Sequence, residues 1–147
     1  MDKKIIILPV VIIILAIILW VGLDIYYSNQ VSVLVDKAEY LKTDALTVTL
    51  ENNTKKDVCV SSCKPYAIEK KNGSWVDYQV FSGCPSQTTN ETCLKAGESK
   101  RFKIDLSMFA AITSGSHRLK IPLCVGCEIG QPFQEKSSFY SNTFIIK

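Results

Sequence analysis

The residues of this 147-residue chain whose types and spacing could do chemistry are its six cysteines. Cys59 and Cys63 are separated by three residues, and Cys124 and Cys127 are separated by two. Four thiolates at such spacings are a ligand set that zinc accepts, so one interpretation is a structural metal site. Cys124 and Cys127 could instead form a redox pair, or all six cysteines could form disulfides. The compartment of the domain decides among these chemistries.

An apolar run near the N-terminus indicates the compartment. Residues 5–23 read IIILPVVIIILAIILWVGL and contain no charged residue. At about 1.5 Å of rise per residue such a helix is roughly 28 Å long, which matches the hydrocarbon core of a bilayer. We therefore predict one N-terminal transmembrane helix over residues 5–23, with a cytoplasmic tail at residues 1–4 and a polar tether at residues 24–30.

The apolar run is predicted to be a retained signal anchor and not a cleaved signal peptide. It is longer than the usual signal core of about 7–15 residues, and no A-x-A cleavage site follows it in DIYYSNQ. Lys3 and Lys4 precede it, and basic residues favour the cytoplasmic side of a membrane. The expected location is the cell membrane, with a single span and an extracytoplasmic C-terminal domain at residues 31–147.

All six cysteines follow the apolar run, and an extracytoplasmic compartment oxidises thiols. An even count in a small domain of this kind is typical of a disulfide framework, so we expect neither a metal nor a cofactor, with zinc and redox chemistry as open alternatives. We favour bonds that link the connection holding Cys59 and Cys63 to the other two cysteine-bearing connections, since longer closed loops constrain the unfolded chain more. The disulfide candidates, expected to cluster at one tip, are Cys59, Cys63, Cys84, Cys93, Cys124 and Cys127.

Strands are the elements that must position these cysteines. Apolar and polar residues alternate in ALTVTLEN, SKRFKIDL and SHRLKIPLCV, which is the period of a half-buried strand. About seven such strands are separated by turn signals, and the one helical turn expected outside the membrane lies at residues 106–111. The pattern predicts an all-β domain, an antiparallel β-sandwich.

Single residues refine this prediction. Asn72-Gly73 predicts a type I′ hairpin turn, because that turn needs positive φ at both central residues. Pro122 lacks a backbone N–H and therefore favours an edge position or a strand end. The inward-facing candidates for the core are Val48, Trp75, Phe102, Ile104 and Leu119.

Four stretches occur in the order VSVLVDKAEYLKTDALTVTLENNTKKDV, PYAIEKKNGSW, LKAGESKRFKIDL and SGSHRLKI. Together they resemble a bacterial immunoglobulin-like domain family of cell-surface and lipoprotein type, over about residues 31–147. The resemblance implies an Ig-like, non-enzymatic sandwich of the accessory or binding kind and transfers no catalytic residue. His117 stands where the family has a tyrosine, and six cysteines exceed the family's core pattern.

The remaining residues give catalytic classes little support. His117 is the one histidine, and its place on a predicted strand favours a partly buried structural residue over a catalytic base. The sequence has no Gly-rich phosphate loop. A net charge of +3 is too small and too scattered to favour nucleic acid. We therefore expect neither an enzyme nor a nucleic-acid-binding protein.

The sequence thus predicts a membrane-anchored, disulfide-stapled, Ig-like binding or structural module. Its expected partners are the membrane and a protein or envelope ligand at the cysteine-rich loop end, because loops on a stiff scaffold usually carry recognition. Two other functions stay open. One is a proteinase-inhibitor-like sandwich that uses loops at one end, and the other is an envelope thiol–disulfide protein that uses Cys124 and Cys127.

The anchor generates a testable prediction. The full chain should sediment with membranes and stay there in alkaline carbonate, because residues 5–23 would bury an uncharged helix in the bilayer. External protease should remove the C-terminal domain from spheroplasts while a cytoplasmic marker protein stays intact. Recovery of a free domain that begins between residues 24 and 31 would show instead that the run is a cleaved signal peptide.

Overall fold

The structure is a computed structural model that describes residue 13 and residues 30–78, 88–109 and 111–147. The chain divides into two compact units, Met1–Gln30 and Val31–Lys147. Apart from Ile13 and Gln30, the predicted tail, signal anchor and tether at residues 1–30 lie outside the described residues. Within the described ranges, no helix has both the length and the apolar character needed to cross a membrane.

Short runs of alternating apolar and polar residues form the strands of the second unit. Its described part contains eleven strands, and the 3-10 helix Leu106–Met108 after the eighth strand confirms the helical turn predicted there. The strands are β1 (Val31–Val35), β2 (Glu39–Tyr40), β3 (Ala45–Asn52), β4 (Val58–Ser61), β5 (Ala67–Asn72), β6 (Ser74–Tyr78), β7 (Asn90–Leu94), β8 (Ser99–Asp105), β9 (Gly115–Val125), β10 (Ser137–Tyr140) and β11 (Phe144–Ile146).

The strands form two sheets. In the first sheet β3 lies between β1 and β8. The second sheet has the order β2-β11-β9-β4-β7, with β10 and β5 also paired to β9 and β6 paired to β5. These pairs are antiparallel except for β11 with β2. Buried side chains of both sheets belong to one core. The prediction of an all-β, sandwich-like fold is therefore confirmed, although the described residues contain more than seven strands.

Alternation along the strands supplies the core. Val48 of β3 and Leu119 of β9 have no exposed surface, and Ile104 of β8 is 2% exposed, so these three core predictions are confirmed. Phe102 is half-buried and packs against the core from the same strand as Ile104. Full burial of one such aliphatic side chain contributes about 1.5–3 kcal/mol.

The core prediction for Trp75 is wrong. Trp75 is the register partner of Lys71 across the β5–β6 hairpin, whereas the fully buried Ile68 pairs with Tyr78 on the opposite face. Alternation along β6 is equally compatible with Trp75 or Val76 on the inner face, because a shift of one residue exchanges the two faces. The register of the hairpin places Trp75 on the outer face.

The Asn72-Gly73 hairpin is present, but its turn differs from the predicted type I′. Asn72 and Ser74 face each other as the last pair of β5 and β6, and Gly73 alone joins them. Gly73 has a φ of 71°, whereas no described residue other than glycine has a positive φ. The hairpin therefore closes around the one residue that adopts this conformation without strain.

Pro122 lies inside the central strand β9, so the prediction of an edge position or a strand end is wrong. The carbonyl groups of Leu119 and Leu123 accept hydrogen bonds from the β10 side of the strand. Backbone groups alternate in direction along a strand, so the nitrogen of Pro122 points to the opposite side. On that side β5 pairs with β9 up to Lys120, and β4 pairs with β9 from Leu123 onward. Pro122 lies in the gap between these two strands, so no strand there requires the N–H that proline lacks.

His117, expected to be partly buried, has no exposed surface. Its Nδ1 lies 2.8 Å from the Gly115 carbonyl oxygen, which can only accept, so Nδ1 carries the proton. Its Nε2 has no hydrogen-bond partner within the described residues. Burial lowers the pKa of His117 below its ordinary value, the Gly115 hydrogen bond opposes this shift, and the nearby Lys70 ammonium adds to it.

We expect His117 to make the domain less stable as the pH decreases. An unfolded histidine has a pKa of about 6.5, and the folded value is lower, so the unfolded state binds more protons as the pH falls. The stability that depends on neutral His117 is therefore complete above about pH 6.5 and is lost as the pH drops toward the lowered folded value. The midpoint of urea unfolding should therefore decrease as the pH is lowered from about 7 to about 5.

The His117→Gln variant is the control, because His117 is the one histidine of the chain and glutamine stays neutral at every pH. Whatever its absolute stability, its urea midpoint should change less over the same pH range. An equal decline in both proteins would assign the pH dependence to carboxyl groups and contradict the prediction.

Candidate functional site

The outer face of the second sheet carries polar and sulfur-containing side chains of the central strand. Along β9, Leu119 and Leu123 are buried in the core, whereas their chain neighbours Arg118 and Cys124 lie on the other face. Two groups of neighbouring side chains lie on this outer face. The arginine stack consists of Glu69, Trp75, Arg118 and Tyr140, and the cysteine row consists of Cys59, Cys93 and Cys124, with Cys127 beside it.

Arg118 is held between two aromatic rings. Its guanidinium carbon lies 4.4 Å from the centre of the Trp75 ring and 3.9 Å from the centre of the Tyr140 ring. A cation is attracted to the face of such a ring, by about 0.5–2 kcal/mol for each pair. The three side chains come from β6, β9 and β10, so the arginine stack joins separate strands across the sheet.

Glu69 fixes the position of the guanidinium. Arg118 Nε donates to Glu69 Oε2 over 2.5 Å, and the two residues are register partners on β9 and β5. The side chain of Glu69 is 7% exposed and that of Arg118 is 22% exposed. A carboxylate so shielded from water needs a charged partner, so the ion pair and the two rings together hold Arg118 in one orientation.

The rim of the arginine stack is accessible and carries further cations. Tyr140 is 43% exposed, and Trp75 is half-buried. Lys71 Nζ lies 6.0 Å from the centre of the Trp75 ring, and Lys120 Nζ lies 3.7 Å from a carboxylate oxygen of Asp77. This surface can stack against planar or aliphatic groups of a partner and attract its carboxylates.

Sequence reasoning did not identify the arginine stack. Alternation in SHRLKIPLCV does predict that Arg118 lies on the face opposite to Leu119. Its partners Glu69, Trp75 and Tyr140 come from three other strands, and only the pairing registers bring them together.

The cysteine row crosses three neighbouring strands. Cys59 of β4 is the register partner of Cys93 in β7 on one side and of Cys124 in β9 on the other. Cys59 and Cys93 form a disulfide with a Cα–Cα distance of 4.0 Å. Cys124 and Cys127 form a second disulfide with a Cα–Cα distance of 5.7 Å. The Cys59 sulfur lies 3.1 Å from the Cys127 carbonyl oxygen, so the two disulfides are neighbours.

The arrangement of the cysteines differs in part from the expected one. Cys59, Cys93 and Cys124 lie within strands and not in loops. The Cys59–Cys93 bond joins two of the predicted connections, as favoured. The Cys124–Cys127 bond is local, contrary to the preference, because the chain turns at Gly126, whose N–H donates to the Asp57 carbonyl. Cys63 is also disulfide-bonded, and Cys84 lies outside the described residues.

The alternative zinc set is not assembled as the spacing suggested. Cys59 is bonded to Cys93, and Cys124 is bonded to Cys127, so these sulfurs lack the thiolate form that zinc requires. In the part of the chain that the structure describes, no three His, Cys, Asp or Glu residues are grouped as metal ligands.

We expect the Arg118–Glu69 pair to stabilise the fold far more than its neighbour Lys120–Asp77. Arg118→Ala leaves the shielded Glu69 carboxylate without its partner and should cost about 3 kcal/mol in urea unfolding. Lys120→Ala is the matched control on the same strand and face, and its pair with Asp77, whose side chain is 51% exposed, should contribute less than about 1 kcal/mol. Replacing Glu69 with Gln in the Arg118→Ala background should restore part of the loss. Equal costs for the two single variants would contradict this assignment.

Comparisons with known proteins yield little. No protein-family model matches the chain, and no curated protein matches it. Among solved structures, the chain is similar to the Pseudomonas fluorescens alkylpurine DNA glycosylase AlkC bound to DNA containing an abasic site analog, with a TM-score of 0.38 and 16% sequence identity. The match covers 81% of this chain and 31% of that chain. So low a TM-score does not establish a shared fold, and no function follows from it.

Proposed function

We propose that this protein is a membrane-anchored, extracytoplasmic and non-catalytic binding module with an Ig-like sandwich. Residues 5–23 are its anchor in the cell membrane, and its second partner is a protein or envelope ligand. Nucleic acid is not among its partners. The arginine stack on the outer face of the second sheet is its recognition surface.

The observation that carries this proposal is the stacking of Trp75, Arg118 and Tyr140 on an accessible sheet face. Tryptophan, tyrosine and arginine are the residue types most enriched among side chains that dominate protein–protein binding energies. Tryptophan and tyrosine present large, rigid contact areas at a low cost in conformational entropy, because each side chain has only two χ angles. Their concentration on one face is the composition expected of the centre of an interface.

Preorganisation strengthens the case for binding. The shielded Glu69 carboxylate and the two rings already hold Arg118 in the free protein. A partner would therefore not have to immobilise this long side chain, a step that costs about 0.5–1.5 kcal/mol in a flexible interface.

The disulfides support the extracytoplasmic location. Two disulfides are formed among the described cysteines, and such bonds persist in oxidising compartments and not in a reducing cytosol. We assign recognition to the arginine stack, where exposed aromatic rings and a fixed cation coincide. The sequence had suggested the cysteine-rich loop end instead.

Site-specific photo-crosslinking of the full chain in intact host cells tests this proposal. A photoreactive residue in place of Lys71, at the rim of the arginine stack, should give a discrete crosslinked adduct. The same residue at Leu34, which is 47% exposed on the first sheet, should not give it. Adding Trp75→Ala should reduce the adduct by about thirtyfold or more, the loss expected for a side chain contributing at least 2 kcal/mol.

Val76→Ala is the matched control for Trp75→Ala, because Val76 is the next residue of the same strand, is 52% exposed and lies on the opposite face. It should leave the adduct unchanged. An adduct that survives Trp75→Ala, or that forms equally from Leu34, would show that the arginine stack is not the recognition surface.

A further inference from the structure

Cys59 occupies the middle of the cysteine row, between its bonded partner Cys93 and its other register neighbour Cys124. We propose that the cysteine row is a thiol–disulfide exchange site that reacts stoichiometrically with an external dithiol. Two-electron reduction of the Cys124–Cys127 disulfide moves the inner crosslink from Cys59–Cys93 to Cys59–Cys124.

The backbone register already accommodates the new bond. A Cα–Cα distance of 4.0 Å identifies Cys59 and Cys93 as a narrow, non-hydrogen-bonded antiparallel pair. The backbone groups of Cys59 therefore point toward β9, so Cys59 and Cys124 form a wide, hydrogen-bonded pair with Cα atoms about 5.5 Å apart. This Cα separation is within the range found for disulfides, so the bond can form in the existing register once the two Cβ atoms, which lie farther apart in a hydrogen-bonded pair, draw together.

Access to solvent sets the order of events. Cys59 and Cys124 have no exposed surface, whereas Cys93 and Cys127 are half-buried. Exposure therefore leaves Cys93 and Cys127 open to an external thiolate, and attack on the sulfur of Cys127 forms a mixed disulfide there and releases Cys124 as a thiolate.

The released thiolate belongs to the register partner of its target. The Cys124 thiolate attacks the Cys59 sulfur, forms the Cys59–Cys124 bond and expels Cys93, which takes up a proton from solvent. Cys93 and Cys124 lie on opposite sides of Cys59 in the row, so the attacking and leaving sulfurs approach and depart from opposite sides. The geometry therefore favours this displacement over attack by Cys124 on any other sulfur in the row.

The second thiol of the dithiol completes the reaction. It attacks its own sulfur in the mixed disulfide and releases Cys127, which is protonated. The dithiol loses two electrons and two protons and becomes a disulfide. The protein gains them, since two disulfides become one disulfide, Cys59–Cys124, and two thiols, Cys93 and Cys127.

The exchange changes which strands are covalently joined. Before reduction a disulfide links β4 to β7, which lies at the end of the sheet. After exchange the crosslink joins β4 to the central strand β9, and β7 keeps its backbone pairing with β4 and the packing of Leu94 in the core but loses its covalent link to β4. Reduction therefore loosens one end strand without dissolving the register of the central strands.

Limited reduction of the purified full chain tests the proposal. The protein is treated with dithiothreitol at equimolar amount, quenched in acid, alkylated with N-ethylmaleimide and mapped by mass spectrometry without further reduction. A Cys59–Cys124 peptide pair, absent before treatment, should become the main product, with Cys93 and Cys127 alkylated. Alkylation of Cys124 and Cys127 with Cys59–Cys93 retained would overturn the proposal.

Two variants provide an independent test without added dithiol. Cys127→Ser leaves a free Cys124 thiol and should show the Cys59–Cys124 bond with Cys93 alkylated. Cys124→Ser is the matched control, because it removes the same disulfide without leaving a thiol at the register position beside Cys59, and it should retain Cys59–Cys93. Retention of Cys59–Cys93 in both variants would also overturn the proposal. If Cys127→Ser fails to fold, the map of the unmodified chain decides.

Discussion

The alternation of side chains along β9 is the constraint on which the rest of the structure depends. This strand pairs with β4, β5, β10 and β11, so its two faces are fixed by four registers at once. Its inner face supplies Leu119 and Leu123 to the core, and its outer face supplies Arg118 and Cys124. A slip of one residue would exchange these faces and bury a guanidinium among aliphatic side chains. The cost of burying that charge makes the register specific.

Two buried ionisable side chains avoid an unpaired charge in different ways, one by pairing and the other by staying neutral. Glu69, on the outer face of β5, keeps its carboxylate next to the Arg118 guanidinium, where the charge has a partner. His117 lies at an inner position of β9, where Nδ1 donates to a carbonyl and Nε2 lacks a partner within the described residues. A cation there would add to the charge of Lys70, so the site favours the neutral ring. The inner position thus holds a neutral imidazole, whereas the charged carboxylate lies on the outer face beside its partner.

Period-2 alternation predicted the fold class and the buried positions Val48, Ile104 and Leu119, because these lie in long strands with one apolar face. It did not orient Trp75, because β6 is short and its apolar residues fit either face. It also did not place Pro122, because a proline in a central strand depends on a gap between two other strands, which is a property of the assembled sheet. The arginine stack escaped prediction for the same reason, since its members come from four strands.

The cysteines illustrate how far spacing can be used. Pairs close in sequence suggested joint roles, and the local Cys124–Cys127 bond fits that rule. Cys59 instead pairs with Cys93, which is 34 residues away in sequence and adjacent in the sheet. Arg118 and Cys124 share the outer face of β9 and are about 20 Å apart at the usual strand rise. Because a Cys59–Cys124 bond would preserve the register of β9, Arg118 would keep its neighbours after exchange. The proposed exchange at one end of the strand and the proposed recognition at the other can therefore operate separately.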